Sequence, residues 1–173
     1  MKNVTSNANF NYVKLISEMI SARQGPLERS ETNARLIGRR PDVAQNAFDL
    51  VIYPPAAESL VNKVTQNSYL VDFPDFFKFL TVANGISVDV GKRRIMGLWP
   101  VKKEQKMHPH NYPSNLLVEN DTNTEELKIG FYSEFDAFLH LDKAKKIELR
   151  SRNGIVLHEW NSLELWLSTE GVF

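Results

Sequence analysis

The sequence predicts an α+β fold: a twisted, largely antiparallel sheet of about six strands, with helices packed on one side and the N-terminal helices first. Three observations carry this. Apolar residues recur at three- and four-residue steps before Gly85 and at two-residue steps after it. The β-rich runs that follow are joined by short connections, which antiparallel neighbours permit and parallel ones do not. The chain has 173 residues, 42% of them hydrophobic, which suits one domain able to bury a core without a staple.

Residues 9–23 form the first predicted helix. Tyr12, Val13, Ile16, Met19 and Ile20 make one apolar stripe, and Asn7 or Asn9 is placed to cap it. Gly25-Pro26 ends it, because proline cannot continue the hydrogen-bond ladder. Residues 27–46 are rich in arginine and asparagine; 31–37 is either a short helix closed by Gly38 or part of a wrapped surface loop. Residues 48–53 are an apolar run that Pro54-Pro55 holds extended. Pro55 suits the start of a helix, Glu58 favours that end through the helix dipole, and Leu60, Val61 and Val64 supply a buried stripe to about Asn67. Pro74 leads another helix, with Asp75 in its first turn and an apolar surface of Phe76, Phe77, Phe79, Leu80 and Ala83. Asn84-Gly85 closes it, with Gly85 in the left-handed position after the helix end.

From Ile86 the period becomes two. Ile86, Val88 and Val90 alternate, Gly91-Lys92 turns the chain, and residues 94–99 return with Ile95, Gly97 and Trp99 on one face. Residues 101–115 are a polar, proline-containing loop, and 116–120 a short helical turn. Residues 127–132, 135–141, 146–152 and 155–160 form a run of four strands, and 162–167 a closing helix. Asn153-Gly154 predicts a type I′ hairpin turn, pairing Arg152 with Ile155, Leu149 with His158 and Ile147 with Trp160. That register puts Ile147, Leu149, Val156, His158 and Trp160 on the core face.

Composition excludes several function classes. Lys and Arg number 21 against 21 Asp and Glu, so the chain lacks the basic footprint of a generic polyanion binder. Divided at Gly85, it carries 9 basic and 8 acidic residues before, 12 and 13 after, so any functional charge is local. The absence of cysteine excludes a disulfide framework, thiol chemistry and cysteine-ligated metal. Residues 1–11 are polar, and no stretch approaches the ~20 apolar residues of a membrane span. A soluble, cytoplasmic protein without membrane contact is expected.

No catalytic, cofactor-binding or metal-ligating residue is assigned. Phosphate-binding glycine loops, the nucleophile elbow and the zinc-protease motif are all absent. His108-Pro109-His110 offers two imidazoles but no third ligand at suitable spacing. His158 is expected in the core and His140 on the solvated sheet surface. The basic clusters at Arg39-Arg40, at Lys92-Arg93-Arg94, and at Lys102, Lys103 and Lys106 are short and lack the aromatic interleaving of a nucleic-acid track. Glu119, Asp121, Glu125 and Glu126 cluster within eight residues, without the glycine and ligand order of a Ca²⁺ loop. They read either as a solvated loop or as a docking surface for a basic partner.

An ordered set of short elements runs from Tyr53-Pro54-Pro55 to Trp166. It comprises the Pro-Pro-led helix, Phe73-Pro74-Asp75-Phe76-Phe77-Lys78-Phe79-Leu80, Asn84-Gly85, Arg94-Ile95-Met96-Gly97-Leu98, Leu127-Lys128-Ile129-Gly130, the strand meander, and Trp160-Asn161-Ser162-Leu163-Glu164-Leu165-Trp166-Leu167. The set resembles the SUKH superfamily, which includes bacterial immunity proteins of polymorphic toxin systems and a fungal regulator of cell-wall assembly. Pro74, Phe77, Leu80, Asn84 and Gly85 match the family's P-x-x-[FY]-x-x-[FL]-x-x-x-N-G element. The resemblance implies a single domain over residues 1–173, with a family-like core at 53–167 and a helical N-terminal elaboration at 1–50. It implies an α+β fold and no shared catalytic residues. The implied function is non-catalytic: the chain binds a cognate toxin domain and occludes its active site or substrate path, without a cofactor and without touching nucleic acid itself. A nuclease is the toxin class that an acidic surface would suit, and Glu119, Asp121, Glu125, Glu126, Glu134 and Asp136 are the partner-facing candidates. The alternatives are a regulatory interaction module of the cell-wall-regulator type, and a small-ligand binder or enzyme with a site not visible in the sequence.

Overall fold

The computed structural model describes residues 5–66, 69–99, 113–120 and 125–171. Helix α1 (Thr5–Ser21) begins ahead of the expected start, so Asn7 and Asn9 lie inside it and are not caps. Its stripe buries Tyr12, Ile16 and Met19, while Val13 faces solvent. The next region departs from expectation. No helix forms at 31–37: residues 31–34 turn the chain from β1 (Glu28–Arg29) into β2 (Arg35–Arg39), β1 pairs with β2, and β2 pairs on its other side with β3 (Phe48–Ile52). Leu36 and Ile37 are both buried, on opposite faces, and only a strand can do that with adjacent residues. The N-terminal elaboration is therefore a helix plus strands that enlarge the sheet.

Helix α2 (Glu58–Gln66) starts three residues after Pro55, and a 3₁₀ turn (Tyr69–Asp72) leads into α3 (Pro74–Leu80). Proline opens α3 as expected, and Phe76, Phe77, Phe79 and Leu80 are buried. Thr81 caps its C-terminus, so Gly85, although at φ +97°, lies beyond the helix end. The neighbouring Asn84 serves the sheet side: its Oδ1 accepts from the Leu98 N–H and its Nδ2 donates to the Leu98 carbonyl, each at 2.6 Å. Gly97 lies against it, and a Cβ there would come 2.2 Å from the Asn84 carbonyl.

Strand β4 (Ile86–Val88) stops short of Val90, because Asp89 and Val90 turn at φ +50° and +55°. Strand β5 (Arg93–Ile95) is likewise shorter than expected; Gly97 bridges to Asn115 in place of extending it. Helix α4 (Leu116–Glu119), capped by Asn115, precedes β6 (Glu126–Tyr132), β7 (Ala137–Asp142), β8 (Ile147–Ser151) and β9 (Val156–Trp160). Ser162 caps the closing α5 (Leu163–Thr169), its Oγ accepting from the Leu165 N–H at 3.2 Å.

The sheet has nine strands rather than about six, in sequential order from β1 to β9, every neighbour antiparallel. Of the added strands, β1 and β2 form where no strand is expected, and β3 is the extended run of 48–53 joined to the sheet. On the inner face the register aligns Ile52, Ile86, Ile95, Gly130, Leu139 and Leu149. Every buried helical side chain among the described residues joins the core on this face. The outer face holds only a smaller cluster of Ala34, Leu36, Phe48, Val51 and Tyr53.

The last hairpin keeps part of its predicted register. Ile147 pairs with Trp160 and Leu149 with His158, but a shift then sets Arg150 against Val156. The turn is not a type I′ pair. Gly154 N–H bonds Ser151 O and Ser151 N–H bonds Ile155 O, so Arg152, Asn153 and Gly154 form a three-residue loop, with only Gly154 at positive φ (+78°). His158 is exposed, not in the core.

Candidate functional site

The acidic candidates do not form one patch. Glu125 and Glu126 stand at the start of β6, whereas Glu134 and Asp136 lie beyond its end, roughly 20 Å away at the rise of an extended strand. Each has a cation. Glu125 pairs with Lys143 at 3.1 Å, Glu126 with Arg150 at 2.6 Å, Glu134 with Lys92 at 3.2 Å and Asp136 with Arg152 at 2.5 Å. Glu119 ends α4; its side chain, Asp121 and the His108/His110 loop lie outside the described residues.

The outer sheet face is organised in cross-strand rows. Lys128, His140, Glu148 and Glu159 are opposite one another on β6 to β9. Lys146 bridges Glu148 (2.9 Å) and Glu159 (2.7 Å), relieving their like-charge opposition, and Arg150 bridges Glu148 and Glu126. Lys146, with Arg150 second, holds the Glu148 carboxyl below its ordinary range. His140 is not freely solvated as expected: its side chain is 14% exposed. Its Nδ1 lies 3.1 Å from Glu126 Oε1, the oxygen that accepts from Arg150 Nη1 at 2.6 Å, without a well-aligned hydrogen bond of its own. Burial lowers the His140 pKa despite the nearby carboxylate.

The adjacent row runs Leu36, Val51, Ser87, Arg94, Phe131, Phe138, Arg150, Val156. The aromatic interleaving absent from the linear sequence arises here by strand pairing. Phe131 and Phe138 pack at 5.4 Å, and Lys128 Nζ sits 5.3 Å over the Phe138 ring. A cavity of about 530 Å³ opens beside them, bounded by Lys128, His140, Arg150 and the β8–β9 turn.

Two further grooves flank the helical side. One, about 370 Å³, lies between β9 and the end of α5 and contains Tyr132, Phe135, His158 and Trp160 with the Arg93–Glu170 ion pair (2.9 Å). Another, about 300 Å³, is floored by Tyr12, Phe73 and Phe76, and its rim is tied by the Lys145–Asp75 and Lys143–Asp72 pairs. Among the described residues no three His, Asp or Glu side chains are placed to share a metal, and no helix is long and apolar enough to cross a membrane.

Sequence reasoning did not locate the outer row or the Tyr132 network. The signal was Gly130, where β6 carries a bulge between Lys128 and Gly130 that exchanges the faces of Phe131 and Tyr132. Comparisons with protein-family models, with curated proteins and with solved structures return no match.

Proposed function

We propose that this chain is an immunity protein of the SUKH type, which binds a cognate toxin domain and neutralises it by occlusion. The ordered motif set between Tyr53 and Trp166 is the observation that carries the reading. The architecture is compatible with it: an extensive sheet face without a packed helix among the described residues, and a free edge at β9 where Ile155, Val156 and Leu157 are 62%, 43% and 47% exposed. The opposite edge is unlike it, only two residues long and closed by the Arg39–Glu28 pair at 2.9 Å.

In this reading the four described acidic candidates, Glu125, Glu126, Glu134 and Asp136, are ion-paired groups. A basic toxin would have to displace Lys143, Arg150, Lys92 or Arg152 to reach them, which weakens the phosphate-mimic version of the mechanism. The decisive experiment is co-expression with the toxin domain encoded beside the gene, scored for host survival and for a co-purifying complex. Survival with a complex is expected. Death of the host overturns the reading; survival without a complex overturns occlusion.

A further inference from the structure

We propose that the outer sheet face around Arg94, Phe131, Phe138 and Lys128 is a docking surface for an acidic, partly apolar segment of a protein partner. The proposal rests on the toxin-binding reading for who the partner is, and on the surface itself for the partner's chemistry.

The outer face sorts its charges. Glu126, Glu148 and Glu159 occupy one end, where Arg150 and Lys146 engage them. The row beside them, from Leu36 to Val156, contains arginines but no carboxylate. Within this region Arg94 and Lys128 have no carboxylate partner among the described residues. The Arg94 Nε donates to the Gly91 carbonyl at 2.8 Å, and Lys128 rests over Phe138. Two cations without a carboxylate partner among the described residues, beside an aromatic pair and next to a cavity of about 530 Å³, call for a ligand with carboxylates and apolar groups together. Val156 extends the apolar strip to the free edge.

Single-stranded nucleic acid fits less well. Stacking needs an open ring face, and Lys128 covers that of Phe138, while Phe131 packs on it at an interplanar angle of 52°.

The test is amide chemical-shift mapping on the full chain, with a blocked peptide of alternating Glu and Leu as probe. Its Lys-Leu counterpart and oligothymidine are the comparison probes. The Glu-Leu peptide should shift Lys128, Phe131, Phe138 and Arg150, and the R94E/K128E double variant should weaken it about tenfold. R94Q/K128Q carries the same test if charge reversal impairs folding. Shifts confined elsewhere, equal binding of the Lys-Leu peptide, or preferential binding of oligothymidine at this face would overturn the proposal. With the toxin domain itself, loss of protection by a folded R94E/K128E variant supports it. Full protection by that variant removes this surface and leaves the toxin reading standing. Failure of the wild type to protect removes the toxin reading and leaves the surface to the peptide result.

Discussion

The hydroxyl of Tyr132 accepts a hydrogen bond from Trp166 Nε1 at 3.1 Å and donates one to Glu170 Oε2 at 3.1 Å, and Arg93 holds the same carboxylate at 2.9 Å. One side chain thus ties β6 to the middle of α5 and to its C-terminal cap. Burial, followed by the Glu170 carboxylate, pushes the Tyr132 pKa up, so the phenol stays a neutral donor across the physiological range. Tyr132→Phe would leave the fully buried Trp166 indole N–H without its acceptor. The cost expected from an orphaned buried donor is about 1–3 kcal/mol, read as a lower urea midpoint at unchanged slope. An unchanged midpoint would show that water or a shifted Glu170 takes over the acceptor role. The sequence marks Tyr132 as a strand residue but not its direction, because strict alternation from Leu127 and Ile129 would have pointed Phe131, not Tyr132, into the core.

Elements were legible where local pattern and tertiary packing agree. The phenylalanine-rich α3, the Ser162-capped α5 and the inner residues of β7 and β8 obey their predicted spacing, since one buried stripe or alternate face decides each. Strand β2 was not legible: its arginines carry no period, and its place is set by pairing with β3. The β8–β9 turn lies between these cases. The Asn-Gly pair identified the hairpin, but a bulge in β9 converts the two-residue turn into a three-residue one. This difference is measurable. A Cβ on Gly154 would meet nothing within 4 Å, so Gly154→Ala should cost only the left-handed backbone penalty, about 1 kcal/mol. Asn153 has no positive φ, so Asn153→Ala should change stability by less than about 0.5 kcal/mol. A type I′ turn needs positive φ at both positions, and equal losses in the two variants would restore it.

For the molecule as a whole, the balance of 21 cations and 21 anions is spatial as well as numerical. Most described carboxylates on the outer face are consumed in ion pairs, and this makes the fold's stability depend on acid in two stages. His140 titrates first. It faces Lys128 and Glu126 from β6 and Glu148 and Arg150 from β8, and burial keeps its folded pKa below the ordinary 6.5. The unfolded chain therefore takes up the proton first, and the stability held by the neutral imidazole is complete above about pH 6.5 and drains as pH falls from there. The carboxylates follow. Glu148 is held below its ordinary 4.5 by Lys146 and Arg150, and Asp75 below 3.8 by Lys145 and Lys78. Their contribution is intact above those values and is lost only at lower pH. Urea unfolding between about pH 8 and pH 3 should then show a gentle decline beginning near pH 6.5 and a steeper one under pH 4.5. His140→Gln should flatten the first decline and leave the second. If the variant and the wild type lose stability in parallel through pH 6, the first stage does not belong to His140, and the histidine is more open to water than its 14% exposure indicates.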